Sequence, residues 1–274
     1  MKLGIFAKTF PGTNAADVLA AVRASGFDAV QFNLACAGLP SMPDEAVPDE
    51  AIGAIAAASG KTGISLDALS GTYNMAHPDG SVRDKGLQQL RNVIMAASAL
   101  SIPLVTLCTG SRNATDQWAF HPGNAEPSAW RDMATGMEKA LALAEEHGVD
   151  LGIEPEQANV VTSAQDAVRL IREMGSRRLK IVLDPANLFE SAGAEEARAI
   201  VAGAIDIAAP HIAIAHAKDR HADGRFATAG RGIVDFRDFI ARLKAVGFEG
   251  PLVTHGLSAE EAPDVRRFLS GLMR

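Results

Sequence analysis

Short apolar runs alternate with longer amphipathic stretches from one end of the chain to the other. Eight runs read as strands: Leu3–Ala7, Ala29–Phe32, Ile64–Leu69, Pro103–Leu107, Asp150–Glu154, Lys180–Leu183, His211–Ala215 and Leu252–His255. Each is four to six residues long, with Val, Ile and Leu on both parities, the pattern of a strand buried on both faces. Between them the apolar spacing predicts helices, among them Val82–Leu100, Ala129–His147, Ser163–Met174, Phe236–Val246 and Ala259–Met273.

Punctuation agrees with the period. Gly26, Gly148 and Gly247 each separate a helical stretch from the next strand, where the chain needs a left-handed residue. Ser128, Ser163 and Ser258 stand where a hydroxyl could cap a helix N-terminus. Eight strand–helix units in about 250 residues is the arithmetic of a (β/α)8 TIM barrel. The rival, a doubly wound open sheet, finds no Gly-x-Gly-x-x-Gly turn after the first strand, where the residues are Ala7-Lys8-Thr9-Phe10-Pro11-Gly12. With no composition break or linker, residues 1–274 read as a single barrel domain of the α/β class.

Composition narrows the partners. The chain has 274 residues and a formal net charge of −7, with no basic block, which disfavours nucleic acid. No apolar run approaches the roughly 20 residues that span a bilayer, and the N-terminus does not read as a signal peptide. Cys36 and Cys108 are the two cysteines, too few for a disulfide framework. The expectation is a cytoplasmic protein with reduced thiols, no nucleic-acid or membrane partner, and an oligomeric state left open, a homo-oligomer included.

In such barrels chemistry sits at the C-terminal ends of the strands. Glu154, Asp184, His216 and His255 fall at the ends of the last four predicted strands, separated by 30, 32 and 39 residues, about one strand–helix unit each. They would stand side by side, and two carboxylates with two imidazoles suit one divalent ion: Mn, Zn, Co, Fe or Mg rather than Ca. Taken singly, Glu-Pro or Asp-Pro after a strand is a turn or cap, and a strand-end His is a hydrogen-bonded core residue. The shared register favours a common site.

The segments GIEPE (Glu154), LDPAN (Asp184) and HAKD (His216) resemble the xylose isomerase-like barrels, over essentially the whole chain. That superfamily includes sugar isomerases and epimerases, keto-sugar 3-epimerases, inosose dehydratase and endonuclease IV. The resemblance implies a divalent metal held by Glu154, Asp184 and His216, with a fourth ligand from the last strand. There the family has Glu and this chain has His255. It also implies a small carbohydrate substrate and proton abstraction beside a carbonyl, with Glu154 or His255 as base. A dehydratase or lyase follows the same logic with one base. Endonuclease IV-like repair implies more histidines than the seven present, and a catalytically silent sugar-binding barrel is the remaining alternative.

Further polar residues fall near the same mouth. Lys218 is placed to stabilise an oxyanion, unless it pairs with Asp219. His77, Arg112, Glu156, Asn159, Asn187 and Arg231 are candidate substrate-binding groups, against turn or loop-bridge roles. The long connection Asp116–Pro127 reads as a lid with Trp118 as an aromatic platform.

Overall fold

The computed structural model describes residues 1–274. Seven strands, β1 (Leu3–Phe6), β2 (Ala29–Phe32), β3 (Ser65–Ser70), β4 (Leu104–Cys108), β5 (Asp150–Glu154), β6 (Leu179–Leu183) and β7 (Ile212–Ala217), are followed by a hairpin. Its strands are β8 (Asp219–Arg220) and β9 (Phe226–Ala227), and β10 (Leu252–Thr254) is the last strand. Parallel pairing in the order β1-β10-β7-β6-β5-β4-β3-β2 closes the barrel, leaving the antiparallel β8–β9 pair outside it. Eight helices surround it: α1 (Ala15–Ala24), α2 (Asp49–Thr62), α3 (Gly80–Ala99), α4 (Pro127–His147), α5 (Ala164–Met174), α6 (Ala194–Ala208), α7 (Phe236–Ala245) and α8 (Ala262–Met273). None is long and apolar enough to cross a membrane.

The barrel interior explains why the strands are apolar on both parities. Ala68, Leu104, Val182, Ile214 and Val253 fill one layer inside it, while the opposite parity packs against the helices. Gly152 joins the inner layer without a side chain, because a Cβ there would lie 2.9 Å from Val182 Cγ2. Two residues beyond Gly152, Val182, Ile214 and Val253 stand Glu154, Asp184, His216 and His255. The period of two therefore stacks the four polar side chains on a packed apolar floor.

Gly148 terminates α4 in the left-handed region at φ 70°, and Gly26 and Gly247 adopt φ values of 86° and 74°. Of the three expected serine caps, only Ser163 caps its helix, accepting from Asp166 N at 3.1 Å. Ser128 lies inside α4, since Pro127 has the φ of a first helical residue and starts the helix after Glu126. Ser258 precedes α8 by a turn and donates its backbone N–H to Glu261 Oε2.

Candidate metal and substrate site

Ligand atoms of Glu154, Asp184, His216 and His255 all lie within 4.8 Å of one another at the barrel mouth. His255 Nε2 is 2.9 Å from Asp184 Oδ2, and His216 Nδ1 is 3.3 Å from Glu154 Oε1 and 3.6 Å from Asp184 Oδ2. Asp184 is fully buried, and its other oxygen accepts from Ala186 N. Two carboxylates and two imidazole nitrogens converging on one point can hold a divalent ion of the Mn, Fe, Co or Zn type.

Electrostatics favours the same reading. Burial would raise both carboxyls, but the Lys218 charge and hydrogen bonds from His216 and His255 hold Asp184 well below the usual range. His216 likewise outweighs burial at Glu154 and keeps it low. Burial opposes the charge on His216, yet Glu154 and Asp184 lift it to about 9. Burial and the neighbouring His216 lower His255, so it stays neutral at pH 7.

A further residue completes the cluster without having been singled out from the sequence. Gln31, on β2, places Oε1 2.9 Å from His216 Nε2 and donates its amide to Ser70 Oγ and Thr106 Oγ1, each at 3.2 Å. With the amide N–H groups so directed, Oε1 accepts the Nε2 proton and leaves Nδ1 as the ring nitrogen that faces the carboxylates and would give up its proton to an incoming metal ion. The signal in the sequence was a Gln inside the otherwise apolar run AVQF. Gln31→Leu is expected to weaken divalent-metal affinity about 10- to 100-fold, read by calorimetric titration; an unchanged affinity would show that the contact does not orient His216.

The structure divides the other expected residues into two groups. Lys218 Nζ donates to Asn187 Oδ1 at 2.7 Å and sits 3.4 Å from Asp184 Oδ2, while Asn187 Nδ2 donates to Glu154 Oε1 at 2.7 Å. Lys218 does not pair with Asp219, which accepts instead from the backbone of Arg220, Gly230, Gly232 and Val234. Glu156, two residues past Glu154, is mostly buried and makes no side-chain hydrogen bond; burial and the Glu154 charge raise it to about 7.

The remaining candidates serve the loops. His77 accepts from Asp79 N at Nδ1 and places Nε2 3.1 Å from Ala114 O. Arg112 joins Asp132 of α4 at 2.8 Å and Ala76 O at 3.1 Å. Asn159 accepts from Gly110 N and donates to Gln117 O. Arg231 is exposed and lines a cleft of about 240 Å³ with Thr228, Glu261, Asp264 and Phe268, none of them a cluster residue. The sequence placed all four near the mouth, but their polar atoms are occupied by neighbouring loops or turned to a separate cleft. On the 116–127 connection Trp118 and Phe120 present exposed rings, and Asn124 anchors it through Arg112 N and Ala158 O. The Cys108 thiol is buried against Tyr73 O, and burial pushes it far above the reactive range.

Glu156 carries a pH signature. The folded protein holds its proton up to about 7 against an ordinary value of 4.5, so the native state binds more protons between those values. Stability therefore falls as pH rises through that window, and the loss is complete above it. Metal-free Glu156→Gln should exceed the wild type by about 1–3 kcal/mol at pH 8 and match it near pH 4. Urea unfolding at both values checks this, and equal stability at pH 8 would show that the carboxyl is not raised.

A closed parallel barrel with two carboxylates and two imidazoles converging at the strand C-termini defines a class of (β/α)8 barrels whose mouth could hold a metal ion. The family model for the xylose isomerase-like TIM barrel matches residues 19–270, and the chain belongs to that family. Among solved structures it is similar to apo 3-keto-D-glucoside 4-epimerase, YcjR, from E. coli: TM-score 0.79, 18% identity, 99% of each chain covered. It is similar also to an L-ribulose 3-epimerase, with TM-score 0.78, 19% identity, and 99% and 94% of the two chains covered. A third is D-psicose 3-epimerase with D-tagatose from Clostridium cellulolyticum H10, with TM-score 0.77, 17% identity and full coverage of both chains. No curated protein sequence matches the chain.

Proposed function

We propose that this protein is a divalent-metal-dependent isomerase or epimerase of a small polyhydroxy keto or aldehydo compound, acting by proton removal beside a carbonyl. The observation that carries the reading is the convergence of Glu154, Asp184, His216 and His255 with Lys218 at one barrel mouth. The structures similar to it are named for epimerisation of keto-sugars, which supports the same chemistry.

When bound by these four side chains, the ion supplies Lewis acidity to the substrate carbonyl and its neighbouring hydroxyl. The chain's own groups do the rest. Glu154, kept ionised beside His216, is the base that takes the proton from carbon. His255, neutral at pH 7, is the second group able to carry a proton. Lys218, held by Asn187, presents an ammonium where negative charge develops on the substrate oxygen. Asn187 ties Lys218 to Glu154, so the charge stabiliser and the base move as one unit.

Solvent-deuterium incorporation into a panel of keto-sugars and inososes, with metal-loaded protein, tests this. Exchange into recovered substrate or isomer is expected, and its loss in Glu154→Gln by a factor of about 10² or more. Release of water from the substrate would instead make the protein a dehydratase, as one carboxylate base permits. Exchange that persists unchanged in Glu154→Gln overturns the assignment of the base.

A further inference from the structure

Lys218 and Arg220 are the only lysine or arginine side chains among the buried residues of the whole chain, each about 8% exposed. Lys218 immediately precedes the β8–β9 hairpin and Arg220 lies on β8, and the Phe226 ring of that hairpin covers both. Its centroid lies 4.0 Å from Lys218 Nζ and 4.2 Å from Arg220 Cζ. Lys218 has a carboxylate neighbour, Asp184. Arg220 has none within 4 Å: Nη1 donates to the carbonyls of Phe189 and Glu190, at 2.6 and 3.2 Å. Its Nε is buried without a partner. Glu156, the carboxyl two residues past the end of β5, forms no ion pair with either cation.

A buried guanidinium without a counter-anion is costly, and that cost persists in a fold only where something offsets it. The charge balance of the mouth points the same way. Glu154 and Asp184 match the two charges of a divalent ion, which leaves Lys218 and Arg220 facing Glu156, with Glu190 acting on Arg220 only from an exposed, solvent-screened position. We infer that the substrate brings the missing charge: it carries an anionic group, a carboxylate by preference, that docks on Arg220 beside Lys218 under Phe226. The substrates would then be polyhydroxy keto or aldehydo acids rather than neutral sugars. A single planar fork suits a carboxylate's two oxygens, and the sequence has no glycine-rich phosphate loop. Burial also lowers the Arg220 guanidinium, against the opposing charges of Glu156, Asp184 and Glu190, none of which pairs with it directly.

This inference specifies the substrate of the function proposed above, and its test is independent of turnover. D-Gluconate, D-glucitol 6-phosphate and neutral D-glucitol would be titrated calorimetrically into metal-loaded wild type, Arg220→Gln and Arg220→Lys. Gluconate is expected to bind about 10- to 100-fold more tightly than glucitol. That preference should vanish in Arg220→Gln and persist in part in Arg220→Lys, which keeps the charge and loses the fork. A preference confined to the phosphate compound would keep the anion site but replace carboxylate with phosphate, overturning the sugar-acid assignment. Equal affinities across the three compounds overturn the inference. So does a gluconate preference surviving intact in Arg220→Gln, which would reflect chelation by the metal alone. Thermal unfolding of wild type with and without gluconate gives a second reading if Arg220→Gln fails to fold: no upward shift over glucitol overturns the inference. Failure of deuterium exchange with gluconate preference intact would discard the reaction and keep the anion site.

Discussion

Asp184→Asn is expected to abolish divalent-ion binding at the proposed site and, with it, the proposed turnover. The native carboxylate is fully buried, and one oxygen faces His255 Nε2 at 2.9 Å, Lys218 Nζ at 3.4 Å and His216 Nδ1 at 3.6 Å. An amide there removes the charge that balances this group of donors and, in one orientation, points its own N–H toward them. Loss of partners behind a ligand already costs 10- to 100-fold in affinity, so loss of the ligand itself should exceed about 100-fold. The metal-free variant should also unfold about 3–5 kcal/mol more easily, because Lys218 and His216 are left buried beside a neutral group. Metal content after dialysis and urea unfolding measure the two effects. Wild-type metal affinity in the variant would remove Asp184 from the ligand set.

The second large effect is expected at Asp219, outside the four-residue cluster. Its buried carboxylate accepts four backbone N–H groups: Arg220 and Gly232 at 2.8 Å, Gly230 and Val234 at 3.0 Å. These bonds pin the return of the connection after β9 against the start of the hairpin. A Cβ at Gly232 would overlap Arg220 O and Asp219 Oδ1, so glycine is required for that approach. Asp219→Ala would orphan all four donors and cost about 3–5 kcal/mol. Because the hairpin carries Arg220 and Phe226, the mouth should loosen as well. Urea unfolding gives the energy, and faster amide exchange at Gly230, Gly232 and Val234 localises it; unchanged exchange would show that the carboxylate does not organise the loop.

Much of the site was legible because of one regularity. A polar side chain at the end of each of four successive barrel strands leaves a spacing of about one strand–helix unit, and Glu154, Asp184, His216 and His255 keep that spacing and converge. Lys218 and Asn187 follow His216 and Asp184 by two and three residues and reach the same point. The loop residues were harder. His77, Arg112, Asn159 and Arg231 lie beyond strand ends, but linear distance from a strand says nothing of where a long connection folds its side chains. Gln31 was overlooked because it sits within an apolar strand rather than after one. Arg220 was overlooked because burial of a cation has no periodic signature.

The alternation of apolar runs and amphipathic stretches, with glycines at the helix ends, determined the barrel. Strand and helix periods are local properties, and repeated side by side they leave few ways to bury every strand on both faces. Tertiary structure alone decided which polar atoms meet: that Gln31 orients His216 across the barrel, that Asp219 binds backbone amides rather than Lys218, and that Phe226 roofs Lys218 and Arg220. Those contacts join residues distant in sequence, or depend on how a loop turns back, and their energy arises only once burial has removed the water that would otherwise satisfy each group.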